Sequence, residues 1–332
     1  MRKIIPIAAL CAVVTVAFLS GCSGGATVAA TPASLQGSAS SQRLNIRSSE
    51  RLVGYNACPT SGTTEYVSDY FQNVIVIFHG NFHGQAPCGQ ITSGLSLPWG
   101  MHIDPSTHDL YVANTGADDV LVFHKSQTTA YNTYTDPTPQ TFPVDVALAS
   151  DGTVLASNLG ARNGAGSVST WIGGPNGGTF VGNFLMTNDT LGGFITVQHG
   201  VNVYYNDQDS GTAHGALWTM TCPAGACGAQ TQVPASFRYP GGMVFDSTGD
   251  LLLQDGVLER ADIFELPNKN PAQFKTLNGS SPDDLAIDQR RHHWFTADWN
   301  SQASEYSYPS GVYLGSVSGP KHGNLRGIAI DI

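Results

Sequence analysis

Beyond residue 60 the chain alternates short apolar runs with turn residues, and one order of pieces keeps returning. An apolar strand ends near an aspartate, a turn follows, and a second strand ends in Asn or Asp. A third strand with alternating side chains comes next. The first strands read PWGMHID (98–104), PVDVALA (143–149), LGGFITV (191–197), PGGMVFD (240–246), PDDLAID (282–288) and LRGIAID (325–331). The second strands close on Asp69, Asn114, Asn158, Asn206, Asp255 and Asp298. Third strands include VIVIF (74–78), VLVF (120–123), SVSTW (167–171), ALWTM (216–220), DIFEL (262–266) and SEYSY (304–308). No window here sustains a 3.6-residue apolar period, which argues against βαβ architectures. A unit of roughly 45 residues with about four short strands is the size of one propeller blade.

The order of the pieces predicts how the ring closes. Residues 65–78 supply a second and a third strand with no first strand before them, and residues 325–331 supply a first strand with nothing after it. Either fragment alone would expose unpaired backbone edges. Joined, they make the sixth blade from one C-terminal and three N-terminal strands. The expected fold is therefore an all-β, six-bladed β-propeller over 61–332.

The wording of the repeat, P-x-G-x-A-x-D followed by a strand, Asp or Asn and a short turn, resembles the NHL-repeat propellers. The wider group includes the gluconolactonase- or regucalcin-like propellers. The resemblance covers about 270 residues, and it carries the fold rather than a function. Six equivalent Asp or Asn residues read as turn formers, since their side chains bond backbone groups two residues ahead.

Composition sharpens this picture at the N-terminus. Residues 1–22 run from Met-Arg-Lys through an apolar stretch, Ile4 to Leu19, into Leu19-Ser20-Gly21-Cys22. Positive charge, an apolar run and small residues make a secretory signal, too short with these flanks for a spanning helix. The last four residues resemble the lipobox of bacterial lipoproteins. That resemblance implies cleavage after residue 21 and a lipid-bearing Cys22 carrying acyl chains such as palmitate. With Ser23 next, it implies an outer-membrane address if the source is Gram-negative, and a cell-envelope protein in any case. Residues 22–60 are Ser/Ala/Gly/Thr-rich with no apolar period and read as a tether, with no structure assigned. Loss of residues 1–21 takes the formal charge from −10 to −12. With no Lys/Arg run, nothing points to nucleic acid. A monomer is expected.

Four cysteines remain in an exported chain, allowing three pairings. Cys58 and Cys88 fall in the closing blade, whereas Cys222 and Cys227 flank a hairpin loop on the opposite side of the ring. The roughly 7 Å Cα limit for a bridge then gives Cys58–Cys88 and Cys222–Cys227. The same distance rules out a Cys₄ metal site.

Breaks in the repeat locate candidate chemistry, because the shared fold does not require them. The position before the usual glycine holds Trp99, Val144, Gly192, Gly241, Asp283 and Arg326. The glycine position holds Gly100, Asp145, Gly193, Gly242, Asp284 and Gly327, and two residues on His102 stands where the others carry small or apolar residues. Trp99, His102, Asp145, Asp283, Asp284 and Arg326 would together make a polar channel mouth with one aromatic wall. The same residues allow Asp283 or Asp284 to pair with Arg326 and plug the channel.

In the gluconolactonase-like group, resemblance implies one Ca²⁺ or Zn²⁺ held by Glu, Asn and Asp. Asp283 matches that Asp, with Asp284 beside it, but the Glu and Asn are missing, so no cofactor is expected. His79 and His83, on a hairpin, and His292–His293, beside Arg290 and Arg291, read as solvated loop residues. The chain has no G-x-S-x-G elbow, Walker loop or HExxH. Two functions compete: a non-catalytic, membrane-tethered binding module for a protein, glycan or small molecule, and a metal-dependent hydrolase or lactonase-like enzyme using Asp145, Asp283, Asp284 and His102.

Overall fold

The computed structural model describes residues 42–43, 54–80, 86–160, 165–174, 176–186, 191–208, 215–256, 260–264, 271–276, 282–318 and 324–332. Residues 1–21, Cys22 and most of 22–60 therefore lie outside the described residues, as does His83. Among the described residues the regular structure is almost entirely strand, with a 3₁₀ turn at Pro223–Gly225.

Among the described residues six sheets follow one another along the chain, antiparallel except for one added two-residue strand. The first comprises Pro98–Ile103, Leu110–Asn114, Asp119–Phe123 and Asn132–Thr135. The second to fifth begin with the innermost strands Pro143–Leu148, Leu191–Gln198, Pro240–Phe245 and Pro282–Asp288. In the sixth, Leu325–Asp331 lies beside Thr64–Asp69, with Leu325 opposite Asp69 and Asp331 opposite Thr64. Val74–His79, Gly89–Ile91 and Tyr55–Asn56 continue it outward. One C-terminal strand and the N-terminal ones thus share a sheet.

Neighbouring innermost strands pack side by side, and Leu325–Asp331 packs against Pro98–Ile103, which closes the circuit into a propeller arrangement. The alternation of side chains explains the core. In Leu251–Asp255, Leu251 and Leu253 pack toward the third sheet while Leu252 packs toward the fifth. The second strand of each sheet is buried on both faces, so its sequence reads as a nearly continuous apolar run, whereas outer strands such as Asn132–Thr135 alternate buried and exposed. Every sheet meets the next across such a cluster; Val67, Val76 and Phe78 of the sixth against Phe295, Ala297 and Val317 of the fifth are one instance.

Two short pieces of the segment read as a tether take up structure. Gln42–Arg43 pairs parallel with Val317–Ser318, and Tyr55–Asn56 pairs with Gly89–Gln90. The physical reason is the outermost strand of each sheet, whose unpaired N–H and C=O groups accept any extended segment within reach. Both disulfides form as expected, Cys58–Cys88 and Cys222–Cys227, with Cα separations of 4.9 and 3.9 Å.

The third sheet departs from the alignment read off the sequence. In five sheets the first residue of the inner strand faces the second-strand Asp or Asn: Pro98–Asn114, Pro143–Asn158, Pro240–Asp255, Pro282–Asp298 and Leu325–Asp69. In the third, Gly192 faces Asp207. Asn206 Nδ2 donates to the Gly241 carbonyl at 2.7 Å, the task done by Ser68 Oγ on Trp99 and Ser157 Oγ on Gly193. Asp207, not Asn206, is therefore the strand-end residue, and the inner strand is shifted by one. Gly193 replaces Gly192 beside Trp99 and its equivalents, Phe194 takes the glycine position, and Thr196 stands at the level of His102.

Candidate functional site in the central channel

The inner strands bring five of the six break residues into two successive layers at the start of the channel, with His102 below them. In the outer layer Arg326 Nη1 donates to Asp283 Oδ2 at 2.9 Å. The guanidinium lies 4.3 Å from the Trp299 ring centroid, 4.5 Å from Trp99 and 5.6 Å from Tyr70. Tyr70 also meets Trp99 edge-on at 5.3 Å. A desolvated cation over an indole is worth about 2 kcal/mol, so the aromatic faces hold the cation that Asp283 neutralises. Burial pushes the Asp283 carboxyl up and the Arg326 charge opposes it. This mouth is plugged, with Asp283 as the partner.

Tyr70 and Trp299 were missed from sequence. Each directly follows a second-strand acid, Asp69 and Asp298, where the first four repeats carry Thr115, Leu159, Gln208 and Gly256. That break in the repeat was the available signal.

The inner layer holds Asp145 and Asp284, in the second and fifth sheets and so on opposite sides of the ring. Their hydrogen bonds match. Asp145 Oδ1 accepts from Val146 N at 2.8 Å and Oδ2 from Ile195 N at 3.0 Å. Asp284 Oδ1 accepts from Leu285 N at 2.8 Å and Oδ2 from Ile328 N at 3.0 Å. Each carboxylate ties its own strand to the next sheet. Glycine is needed alongside: a Cβ on Gly100 would come within 2.8 Å of Asp145 Cγ, and one on Gly242 within 2.7 Å of Asp284 Cα. Burial, then the Asp283 charge, pushes Asp145 up to about 7. Burial and the Asp145 charge push Asp284 well above the ordinary carboxylate range. Two enclosed, facing carboxyls cannot both ionise cheaply, so the pair keeps a proton at neutral pH.

Beneath this layer lies a cavity of about 180 Å³, walled by Met101, His102, Ile195, Thr196 and Met243 and continuing to Ile103, Ile287 and Ile330. These last three isoleucines are half-buried, in contrast to Trp99, Asp283 and Arg326 at the plugged end. Burial lowers His102 to about 4, keeping the imidazole neutral. Among the described residues no three His, Cys, Asp or Glu side chains converge on one point.

The recurrent strand-end residues hold turns. Asp298 Oδ1 accepts from Asn300 N and Gln302 N at 2.7 and 3.2 Å, and Asp69 Oδ1 from Gln72 N and Asn324 N. The basic turn 290–293 is not simply solvated. Arg291 Nη2 pairs with buried Glu65 at 2.7 Å, its Nε contacts Asp288, and His293 Nδ1 meets buried Glu305 at 2.6 Å. Glu65 and Glu305 have no exposure, so each needs a partner, and the turn supplies them.

Asp298 is likewise pushed up to about 7 by burial. Asp145, Asp284 and Asp298 all bind protons more tightly folded than unfolded, so their stabilisation is full below pH 4 and is lost as pH rises through 7. His102 runs the other way between pH 6.5 and 4, one group against three. Stability should therefore be higher at pH 5 than at pH 8. Asn114 and Asn158 already occupy the equivalent turn position, so Asp298→Asn should gain stability over the parent at both pH values, and by about 3 kcal/mol more at pH 8 than at pH 5. Urea unfolding of both proteins at the two pH values checks this; an unchanged pH slope would refute it.

No family model matches the chain, and no curated protein matches it. Solved structures do. A chain from a nidogen/laminin complex aligns with a TM-score of 0.64 at 13% identity, covering 82% of this chain and 99% of that one. Virginiamycin B lyase from Staphylococcus aureus aligns at 0.52 and 12% identity, covering 79% and 83%. Regucalcin from Agrobacterium tumefaciens aligns at 0.50 and 15% identity, covering 69% and 76%. At these identities the likeness is one of fold: this chain is a β-propeller, with neighbours among the regucalcin and streptogramin B lyase propellers.

Proposed function

We propose that this chain is an NHL-like, six-bladed propeller that works as a non-catalytic binding module, taking a small ligand into its central channel. The six sheets and their unbroken ring of innermost strands support the blade count. The lipobox-like Leu19–Cys22 supports residues 1–21 as an export signal and Cys22 as a lipid anchor, with 22–60 spacing the propeller from a cell-envelope membrane. In a Gram-negative source that membrane is the outer one.

The observation that carries the binding reading is the channel itself. Its mouth is closed by Arg326 and Asp283 among aromatic rings, while its lower part keeps about 180 Å³ beneath two carboxyls and a neutral imidazole. An engineered apolar cavity of about 150 Å³ accommodates benzene, so this volume suits a compact ligand. A metal-dependent hydrolase is less well supported. The aspartate that would serve the metal, Asp283, is bonded to a guanidinium, which places positive charge where a cation would sit. The levels that would supply Glu and Asn hold Trp99, Val144, Gly193 and Gly241.

The neutral probe 1-hexanol tests the channel. Calorimetric titration of the full chain in an uncharged detergent should show saturable binding that Ala286→Phe abolishes by filling the cavity. Val244→Phe serves as a second blocking variant, and cooperative melting shows which of them is folded. Absence of saturable binding to the unmodified chain would refute the channel reading.

A further inference from the structure

The polar groups of the cavity offer more acceptors than donors. The four carboxylate oxygens of Asp145 and Asp284 have each accepted one backbone N–H and retain lone pairs. The half-buried imidazole of His102 is neutral, offers a lone pair on one nitrogen, and makes no hydrogen bond to the described residues. Thr196 adds a hydroxyl, and no Lys or Arg lines the cavity. The remaining wall is Met, Ile, Leu, Val and Ala. Resting on the channel reading above, we propose that this cavity recognises a small primary ammonium with a compact apolar body, about six to eight non-hydrogen atoms in all.

An ammonium brings three donors and a positive charge to oxygens that repel each other without one. A bare divalent cation fits less well. Ca²⁺ asks for six to eight oxygens, and the apolar walls supply none. Arg326 does not satisfy this layer, because its charge is held one level up by Asp283.

The proposal carries a pH signature. The groups facing the pair are Asp283 on the strand of Asp284, Arg326 on the neighbouring inner strand, and His102 on the first, with Asp104 beyond it. The amine stays charged throughout, so the proton lost on binding comes from the carboxyl pair and goes to solvent. One proton held at about 7 and released on binding makes affinity rise about 30-fold from pH 5.5 to pH 8.

The test compares n-hexylammonium with its isostere 1-hexanol, using the full chain in an uncharged detergent. At pH 8 hexylammonium should bind at least about tenfold more tightly, and its affinity should fall about 30-fold at pH 5.5 while that of hexanol stays level. Asp145→Asn should remove that preference. Asp284→Asn provides the same reading should the first variant fail to melt cooperatively. If hexanol binds as well as hexylammonium, or the ammonium's affinity ignores pH, the charge recognition is wrong and channel binding stands. If neither ligand binds, both fall.

Discussion

Asp283→Ala should lower stability by about 3–5 kcal/mol, the cost of leaving a buried cation without its partner. Arg326 is 9% exposed, and Asp283 is its hydrogen-bonded counter-charge. The indoles of Trp99 and Trp299 attract the guanidinium but cannot accept a strong hydrogen bond from it. Removing both members, as Asp283→Ala with Arg326→Leu, should restore most of the loss, because a buried pair often contributes little over apolar packing. Urea unfolding of the two single variants and the double variant measures the coupling. A single-variant loss below about 1 kcal/mol would mean that water already reaches the guanidinium and that the mouth is not plugged.

The second large effect concerns the closing sheet. Cys58–Cys88 spans 30 residues and joins the outer strands of the sheet on which the ring closes. Loop-closure entropy gives about 4 kcal/mol for that span and about 2 kcal/mol for the sequence separation of 5 between Cys222 and Cys227. Cys58→Ser with Cys88→Ser should therefore destabilise about twice as much as the Cys222/Cys227 pair of replacements. Denaturant midpoints of the two double variants decide it. The reverse order would show that the closing sheet is held by its strand pairing and ion pairs without help from sulfur. Asp331 of that sheet also meets Lys125 Nζ at 2.7 Å and His108 Nδ1 at 2.6 Å across to the first sheet.

The repeat was legible because proline, glycine and aspartate punctuate each unit at fixed offsets, and because strands buried on both faces give runs that no helix period imitates. Closure was legible from a strand count that balances only when residues 325–331 join 64–79. The third sheet was not. LGGFITV offers two glycines and YYND an adjacent Asn–Asp, so two alignments preserve the pattern equally, and only the Asn206 bond to Gly241 decides between them. The plug was half legible. Asp283 and Arg326 share one repeat position and therefore one level, whereas Asp284 shares the level of Gly327, so the choice of partner could have been made from position alone. The aromatic floor could not, since Tyr70 and Trp299 sit in turns outside the strand pattern. Arg291 and His293 looked solvated because a turn's polarity says nothing about the buried Glu65 and Glu305 they reach.

Pairing Leu325–Asp331 with Thr64–Asp69 also sets a schedule. A strand that emerges early from the ribosome waits for its inner neighbour until roughly 260 more residues have been made, so that edge stays open throughout synthesis. A ring that cannot close until residues 325–331 arrive stays open for that whole interval. Removing Leu325–Asp331 would leave an open fan of sheets with a sticky border rather than a slightly smaller wheel.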